Sequence, residues 1–486
     1  MPHFHDPKGP WWPRLSIIAG LIVASLIGAC GGGGGSVDAG PPPPSPAPAP
    51  AMVTTSTPLT LSDFGSGDKP KIQRAGDGTL VVIYGDAADN SRLVYDVQAQ
   101  VERPARDIYV KTCKPDASAV PVKTCDDLVD WSAATNLSQS SDKSSIATEW
   151  QGPSSPGLKA YPGDIDKPTV KTSGPVMVVT WVSKYCPDGD LGTAGIQAPV
   201  QRALRYPERD GRVIPFACAW MVHSLNNGGN WSAAVQLSTG LRDAIQDSSS
   251  GTFNTDTRRG QVNASWQEDP QGLRLGGGDG PGDGASGADV NGGTDIWYTS
   301  ATIDLSVPST PADDFDLAAP VRLTDNWQGQ YGLADQSHPV VDGMGASVDP
   351  AQIETGVVGA SRPNIGMVSN TAIVAYEETK GPEGPNAGKF VRYHAFPFAE
   401  PAATAADKAG CVISHPLKNA RRVRFLTQSP ADAGTGGIQI AVFWKEGIFD
   451  KGGPSDIVVR RGMGGLQPGD MAPAVAPACA TSDYAT

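Results

Sequence analysis

The sequence predicts an all-β fold built from repeated antiparallel sheets. Its 486 residues include 58 Gly and 43 Pro, a composition typical of many turns between short strands. Beyond the first thirty residues, no long stretch shows the hydrophobic periodicity of a helix. A turn-and-strand segment also occurs twice along the chain, which predicts a repeat architecture.

The repeated segment is an octapeptide at residues 131–138 and 231–238. The two copies differ only where Thr135-Asn136 is replaced by Val235-Gln236. Before the second copy, residues 224–230 are rich in Asn, Gly and Ser, which accept positive φ angles or satisfy turn amides, so a hairpin is predicted there. Residues 315–324 resemble a worn third copy.

Five units of up to four strands follow from the apolar pattern. Strands ending on an aromatic residue are predicted at 81–84, 178–181, 263–266, 373–376 and 441–444. Each follows a shorter strand that starts near Ile72, Val170, Val262, Ile365 or Ile438. Third strands open at Asp107, Asp295 and Asp456, or occupy residues 216–224 and 390–396. Fourth strands end at Leu137, Leu237, Leu323 and, in diverged form, at residues 423–426.

The last unit lacks a fourth strand, and residues 57–62 have the sequence to supply it. A strand from the N-terminal end that completes the final sheet closes a ring and removes two open sheet edges. We therefore predict a β-propeller of four-stranded blades over residues 57–465, with two stacked β-sandwiches as the competing architecture. Five blades are countable, and residues 241–257 or 325–360 leave room for a degenerate sixth.

The segments before the two octapeptides resemble the Asp-box of sialidase-like β-propellers, Ser/Thr-x-Asp-x-Gly-x-x-Trp. The matching residues are Thr124, Asp126 and Trp131 in one copy, and Ser224, Asn226, Gly228 and Trp231 in the other. Leu128 replaces the glycine of the first copy, and Asn226 replaces the aspartate of the second. The resemblance implies a propeller fold in which these residues are structural.

The first 29 residues are predicted to be a bacterial lipoprotein signal peptide. Lys8 and Arg14 precede an apolar run that is short for a membrane span, and it ends in Leu26-Ile-Gly-Ala-Cys30. This end resembles a lipobox, which implies export, a lipid on Cys30 and anchoring at the outer membrane or cell surface. The alternatives are an uncleaved anchor and ordinary secretion. Residues 30–56, rich in Gly and Pro, then form a tether, and residues 466–486 form a tail.

Six further cysteines remain, an even number that suits disulfides in an exported chain. Although fifteen pairings are open, we favour Cys113–Cys125, Cys186–Cys218 and Cys411–Cys479. A formal net charge of −13 argues against nucleic acid and anionic membrane surfaces as partners. Any membrane contact is expected through the lipid anchor alone.

Long connections between second and third strands, at 86–106, 185–215 and 269–294, mark the expected working face. A cation precedes four of the predicted first strands on that face: Lys69, Lys167, Arg259 and Arg362. An acid follows four of the aromatic residues: Asp86, Glu268, Glu378 and Glu446. Two interpretations stay open: the cations form a ring that attracts an anion, or each of them pairs with a nearby acid.

A structural calcium site is a further candidate, formed by Asp283, Asp289, Asn291 and Asp295 in a glycine-rich loop. Alternating oxygen ligands suit a hard cation, although the loop lacks the Gly and Glu of an EF-hand. The competing interpretation is a glycine-rich insertion without a metal.

These features predict a cell-surface module that binds or scaffolds an anionic ligand, a glycan or a protein partner without catalysis. The alternative is an exo-sialidase. Sialidases bind the substrate carboxylate with three arginines, one in an Arg-Ile-Pro sequence, and use a Tyr/Glu nucleophile pair. Here Arg362-Pro363 lacks the Ile, and Tyr376 and Glu378 merely share one strand.

Overall fold

A computed structural model describes residues 57–187, 202–270, 272–273, 290, 292–306, 314–324, 326, 358–368, 370–380, 388–401, 411–415, 417–428, 439–447 and 455–461. Residues from Ser56 onward form one compact unit that is separate from residues 1–55. The predicted signal peptide, Cys30, the tether and the tail therefore lie outside the described residues. Within the described part of the chain, no helix has the length and hydrophobicity needed to span a membrane.

The described strands, in chain order, are β1 (Asp68–Arg74), β2 (Leu80–Asp86), β3 (Leu93–Asp96), β4 (Val101–Pro104), β5 (Asp107–Cys113), β6 (Thr135–Asn136), β7 (Ala147–Thr148), β8 (Lys159–Ala160), β9 (Ile165–Ser173), β10 (Val176–Ser183), β11 (Ala203–Tyr206), β12 (Arg212–Pro215), β13 (Cys218–Ser224), β14 (Val235–Gln236), β15 (Asp243–Asn254), β16 (Arg259–Asp269), β17 (Asp295–Asp304), β18 (Phe315–Leu317), β19 (Val321–Arg322), β20 (Ala360–Val368), β21 (Thr371–Thr379), β22 (Lys389–Pro397), β23 (Cys411–Val412), β24 (Asn419–Gln428), β25 (Gln439–Gly447) and β26 (Ser455–Arg461). Two short 3-10 helices cover Leu128–Asp130 and Pro207–Arg209.

In the described part of the chain, five antiparallel sheets of three or more strands follow one another, and three two-stranded hairpins are separate from them. Sheet 1 has the order β1-β2-β5-β6, sheet 2 has β9-β10-β13-β14, and sheet 4 has β20-β21-β22-β23. In sheet 3 the order is β15-β16-β17, and both β18 and β19 pair with β17. Sheet 5 consists of β24-β25-β26. The all-β prediction is confirmed.

Consecutive sheets pack against each other through shared apolar clusters. In sheets 2 to 5, the aromatic residue of the second strand lies in a cluster with the Leu or Ile near the fourth strand of the preceding sheet. The pairs are Trp181 with Leu137, Trp266 with Leu237, Tyr376 with Leu323, and Trp444 with Ile413. The aromatic-ended strands of the sequence are therefore the core of the interfaces between sheets.

A hydroxyl residue after each of these Leu or Ile residues ties the outer strand to its sheet. Ile108, for example, accepts a bond from the Leu137 amide at 2.7 Å and donates its own amide to Ser138 Oγ at 2.9 Å. The same two bonds join Ala219 to residues 237–238, Ile296 to residues 323–324, and Val391 to residues 413–414. The pair of a Leu or Ile and a following Ser or Thr thus has one structural role, repeated in four sheets.

Three strand predictions are wrong. The strand near Ile438, which was expected to be a first strand, is β25, the second strand of sheet 5. Residues 423–426 lie in β24, the first strand of sheet 5, whereas the outer strand of sheet 4 is β23. Val262 does not begin a first strand, because it lies inside β16; the first strand of sheet 3 is β15, whose many Ser residues conceal it from an apolar pattern. Residues 241–257 consequently hold a strand of sheet 3 and no sixth blade.

The predicted closing strand is not seen as a strand. Residues 57–62 carry no strand assignment, and the described part of sheet 5 ends at β26. Leu61 instead accepts a hydrogen bond from the Tyr84 hydroxyl at 3.1 Å in sheet 1. The amides of Phe64 and Ser66 donate to the Asp86 carboxylate at 3.1 and 2.9 Å.

Two of the three favoured disulfides are confirmed, Cys113–Cys125 and Cys186–Cys218. Cys479 lies outside the described residues, so its pairing with Cys411 stays a prediction.

Two of the three predicted long connections, 86–106 and the described part of 185–215, form a layer together with the β7-β8 hairpin. Most of the third, 269–294, lies outside the described residues. Three hairpins, β3-β4, β7-β8 and β11-β12, share an apolar cluster that includes Trp150, Tyr161 and Phe216. Arg103 joins this layer to the sheets through a bidentate ion pair with Asp164 at 2.8 and 2.9 Å. The connections of 86–106 and 202–215 are therefore folded structure.

Candidate functional site

Each first strand carries a bulge near its start, and most of the bulges place a cation there. Lys69, Lys167, Arg362 and Arg422 all adopt positive φ angles of 46, 52, 53 and 58°. The register of β1, β9, β20 and β24 shifts at these positions. Such bulges re-aim side chains relative to the strand. Proline follows three of the four cations, and its missing N–H suits a place where the ladder is interrupted.

Three of the four predicted ring cations, Lys69, Lys167 and Arg362, therefore occupy equivalent positions. Arg259 does not, because it begins the second strand of its sheet and pairs with Asp304 at 2.9 Å. It lies opposite Asn254, five residues beyond Ser249 on β15, which is about 16 Å along the strand. The equivalent bulge of sheet 3 falls between Ile245 and Ser248.

The first strands are neighbours in chain order, with β1 beside β9, β9 beside β15, β15 beside β20 and β20 beside β24. They line a cavity of about 370 Å³. Its lining residues, which come from all five first strands, are Lys71, Ile72, Gln73, Thr169, Val170, Lys171, Ser248, Ser249, Arg362, Pro363, Asn364, Arg422 and Arg424. Five of these are cations, and none of the lining residues that the structure describes is an acid.

Sequence reasoning missed Arg422 and Arg424 because it placed a fourth strand at residues 423–426, where the first strand β24 lies. The available signal was Arg421-Arg-Val-Arg424, a cationic run in the place where a first strand begins. Lys71 and Lys171 were also missed, although each lies two or four residues past a predicted ring cation.

Some of the cations are neutralised by neighbouring acids, as the second interpretation expected. Lys69 pairs with Asp166 across sheets 1 and 2. The Glu377 carboxylate forms ion pairs with Arg362 at 3.5 Å and Lys389 at 3.3 Å. It also accepts a hydrogen bond from the Arg422 amide at 2.7 Å. Burial by itself would raise the pKa of Glu377, but Lys389, Arg362 and this amide outweigh it and hold the pKa below its usual range.

The cavity nevertheless keeps an excess of positive charge. Neither Lys71 nor Lys171 has a carboxylate partner among the described residues. At Arg424, burial lowers the pKa of the guanidinium; Glu377 opposes this shift, and the charges of Arg422 and Arg362 add to it. An anion placed between these side chains would relieve their mutual repulsion.

Ser249 supplies an unused hydrogen-bonding group at the same cavity. Its side chain is 1% exposed, and its hydroxyl oxygen has no partner among the described residues. A buried hydroxyl without a partner costs about 1–3 kcal/mol of stability, which a bound oxygen ligand would recover. The cavity therefore combines cations with a free hydroxyl.

No protein-family model matches the sequence, and no curated protein matches it. Among solved structures, Trypanosoma rangeli sialidase in complex with the inhibitor DANA gives a TM-score of 0.31 at 9% identity, covering 81% of this chain and 48% of the sialidase. Penicillium chrysogenum α-L-arabinanase with arabinobiose gives 0.29 at 12% identity, covering 83% and 79%. A GH43 endo-arabinanase from Bacillus licheniformis gives 0.24 at 9% identity, covering 82% and 95%. The chain spans about half the length of the sialidases, and TM-scores this low assign it to no family.

The elements of a sialidase nucleophile do not meet at the cavity. The Tyr376 side chain is fully buried, and its hydroxyl bonds His394 Nε2 at 3.1 Å. Glu378 pairs with Arg392 instead. Among the described lining residues there is no tyrosine.

The four repeated acids mostly hold the chain between sheets. Asp86 accepts three amides, from Phe64, Ser66 and Ala87. Glu446 accepts the His415 amide at 2.7 Å from the preceding sheet. Glu268 faces the buried Arg242, which also follows an outer strand. Glu268 and Glu446 thus hold segments that connect one sheet to the next, whereas Glu378 pairs within its own sheet.

Asp295, the one predicted calcium ligand among the described residues, is committed elsewhere. It is fully buried and accepts Thr324 Oγ1 at 2.6 Å and the Asn326 amide at 2.8 Å. Arg242 and Arg322 lie 3.3 and 3.5 Å from its carboxylate. Two neighbouring cations are the opposite of a calcium environment, so we withdraw Asp295. Asp283, Asp289 and Asn291 lie outside the described residues.

The two turn motifs adopt related but unequal structures at the far ends of sheets 1 and 2. In the second, Ser224 Oγ accepts the Gly228 amide at 2.9 Å and Asn226 Oδ1 accepts the Asn230 amide at 2.8 Å, while Asn227 and Gly228 have positive φ. In the first, the Asp126 amide donates a longer hydrogen bond to Thr124 Oγ1, at 3.4 Å, and Trp131 Nε1 donates to the Cys125 carbonyl. In both motifs these hydrogen bonds stabilise the turn, which is a structural role.

Proposed function

We propose that this chain is a non-catalytic binding module for an anionic ligand, which it takes up in the central cavity between its first strands. The observation that supports the proposal is a cavity of about 370 Å³ with five lining cations and no acid among its described residues. This concentration of positive charge stands in a chain whose formal net charge is −13. Local charge of opposite sign to the whole molecule is typical of a site for a specific ion.

The ligand we propose is an acidic glycan, whose carboxylate or sulfate enters the cavity. Cavities of about 300–1,000 Å³ suit small molecules or one terminal residue of a chain. Arginine presents a planar fork of donors that matches carboxylates and sulfates, and three of the five cations are arginines. With the lipid on Cys30 that the sequence predicts, binding would take place at the outer membrane or cell surface.

We further propose that the five sheets are the blades of one propeller, closed by residues 57–62. In four sheets a Leu or Ile near the fourth strand shares a cluster with the next sheet's aromatic residue. Leu61 also contacts the aromatic residue of the sheet that follows it, through a hydrogen bond from the Tyr84 hydroxyl to its carbonyl at 3.1 Å. Phe64 and Ser66 bind Asp86 as His415 binds Glu446. The segment is thus placed like the end of a fourth strand that precedes sheet 1.

The binding proposal is tested by calorimetric titration of the purified full chain with 3′-sialyllactose, a trigalacturonate and a sulfated disaccharide, beside neutral lactose. We expect at least one acid to bind and lactose to fail in this cavity. Because a hydrogen bond to a charged group contributes about 1.5–3 kcal/mol, Arg424→Gln should weaken binding about 10- to 100-fold. Arg259→Gln is the matched control and should have no effect. Equal binding by Arg424→Gln and the parent chain would refute the site.

Exo-sialidase activity is the second candidate, favoured by the three arginines that meet at the cavity. We expect no hydrolysis of a fluorogenic sialoside, because the described lining residues include neither a tyrosine nor a carboxylate. Turnover that Arg362→Ala abolishes would establish the enzyme instead.

A further inference from the structure

A second, larger cavity of about 770 Å³ lies between the outer strands of sheets 1 and 2. Its two walls are the two copies of the octapeptide repeat. Residues 132 and 135–139 line one wall, and residues 228–234 and 236 line the other. The hydrogen bonds of each copy lie within its own sheet and account for its structural role. The cavity between the two copies has no part in that role.

Aromatic rings form the floor of this groove. Tyr185 stacks on Trp220 with ring centroids 5.9 Å apart and planes inclined by 13°. Trp220 Nε1 donates to the Tyr185 carbonyl at 3.1 Å, which holds the two residues together. Tyr185 and Trp231 are half-buried, so part of each ring is accessible to a ligand.

The rim of the groove is polar and nearly uncharged. Thr135, Gln139 and Asn230 are exposed, and Gln236 is half-buried. Amide side chains both donate and accept hydrogen bonds, as sugar hydroxyls do. Lys143 is the one charged residue among the described lining residues, and its ammonium lies 5.6 Å from the centre of the Tyr185 ring.

We infer that this groove binds a neutral oligosaccharide segment of two or three sugar units. The C–H face of a pyranose carries partial positive charge that suits the electron-rich face of an aromatic ring. Hydroxyls at the sugar edge then meet the amides and the threonine of the rim. The site is separate from the central cavity, because no residue lines both. An acidic polysaccharide bound in the cavity would then also bind the groove through its neutral sugars.

The test is calorimetric titration of the full chain with cellotriose, maltotriose and chitotriose. We expect one of them to bind with a dissociation constant of about 1 mM or lower. Tyr185→Ala should weaken binding at least tenfold, while Tyr185→Phe, which keeps the ring, should bind within threefold of the parent. Gln139→Ala should weaken binding more modestly, since it removes one exposed amide.

Arg424→Gln separates this inference from the proposed function. It should weaken binding of the acidic probes about 10- to 100-fold and leave the neutral trisaccharide unaffected. Three results would overturn the groove: no heat with any trisaccharide, equal binding by Tyr185→Ala, or loss of neutral-sugar binding in Arg424→Gln. A Tyr185→Ala protein with an unchanged melting temperature rules out misfolding as the cause of lost binding.

Discussion

Glu378 shows how strongly burial acts on single residues of this molecule. Its side chain follows the aromatic residue of β21 and is nearly buried. Burial raises the pKa of its carboxyl to about 7, although Arg392 pulls in the opposite direction, and the charge of Asp295 adds to the rise. The residue was noticed in the sequence as one of four repeated acids, but the repeat did not distinguish it from Asp86.

This shift predicts a pH dependence of stability. Because the folded pKa of Glu378 exceeds its unfolded value, its contribution to stability is present below about pH 4.5 and is lost as the pH rises through 7. Glu378→Gln cannot lose a proton. The free energy of unfolding of the variant should therefore increase relative to that of the parent chain as pH rises from 4.5 to 8, by at most about 3 kcal/mol.

Chemical denaturation at pH 5 and pH 8 measures this difference. Asp304→Asn is the control, since Asp304 lies on an exposed hairpin end beside Arg259, and its pKa is lowered by its bonds to Ser306. It should show no gain at pH 8. A Glu378→Gln variant that follows the parent at both pH values would contradict the burial argument.

At the scale of the element, each outer strand is short and depends on a few side-chain bonds. β6 and β14 contain two residues each. Ser238 is buried and accepts the Ala219 amide at 2.8 Å, whereas Ser232, six residues earlier, is half-buried and accepts the His223 amide at 3.0 Å. The octapeptide thus contains one serine hydrogen bond that is partly exposed to solvent and one that is buried.

We expect Ser238→Ala to destabilise the protein by about 1–3 kcal/mol, because a buried amide then has no acceptor. Ser232→Ala should cost less than about 1 kcal/mol, since water can replace the lost oxygen. Thermal unfolding of the two variants compares the same chemical change in two surroundings. Equal losses would show that burial is not what makes the repeated hydroxyl important.

The two disulfides are a further element-scale constraint, and they close loops of different length. Their sequence separations are 12 residues for Cys113–Cys125 and 32 for Cys186–Cys218. By loop-closure entropy the shorter contributes about 3 kcal/mol and the longer about 4 kcal/mol. A chain with both Cys186→Ser and Cys218→Ser should therefore unfold at a lower temperature than one with Cys113→Ser and Cys125→Ser. The reverse order would show that packing at the cysteines outweighs loop length.

At the scale of the whole molecule, the closing proposal concerns the contact between sheet 5 and the segment that precedes sheet 1. Ile457 and Val459 of β26 are 71 and 57% exposed, and Ile72 of β1 is 61% exposed. Ile457 follows Asp456 as Ile108 follows Asp107 and Ile296 follows Asp295. Since Leu137 pairs with Ile108 and Leu323 with Ile296, the closing proposal places Leu61 beside Ile457.

This register is tested by cross-linking. The double change Leu61→Cys and Ile457→Cys should form a disulfide under mild oxidation, because neighbouring strands bring opposite Cα atoms within about 5.5 Å. Leu61→Cys with Val459→Cys is offset by two residues and should cross-link poorly. Proteolysis followed by a non-reducing gel reports the product. Equal yields from the two pairs would contradict a strand in this register.

Local pattern determined much of this protein from sequence: the all-β class, the aromatic-ended strands, the Leu-Ser repeats and two short-range disulfides. These features depend on side-chain alternation and turn chemistry, which are written in neighbouring residues. β15 was not predicted because Ser248 and Ser249, which line the cavity, interrupt its apolar pattern. Of the four predicted ring cations, Arg362 lines the cationic cavity, whereas Lys69, Lys167 and Arg259 are not among its described lining residues.

Only the tertiary structure decided which charges meet. Arg259 and Arg422 look alike in sequence, yet one lies on a hairpin with Asp304 and the other lines the cavity, because the position of a residue within its sheet depends on strand pairing far along the chain. Asp295 likewise looked like a metal ligand until packing placed Arg242 and Arg322 against it. Electrostatic character depends on distance in space and on exclusion of water, and neither follows from order along the chain.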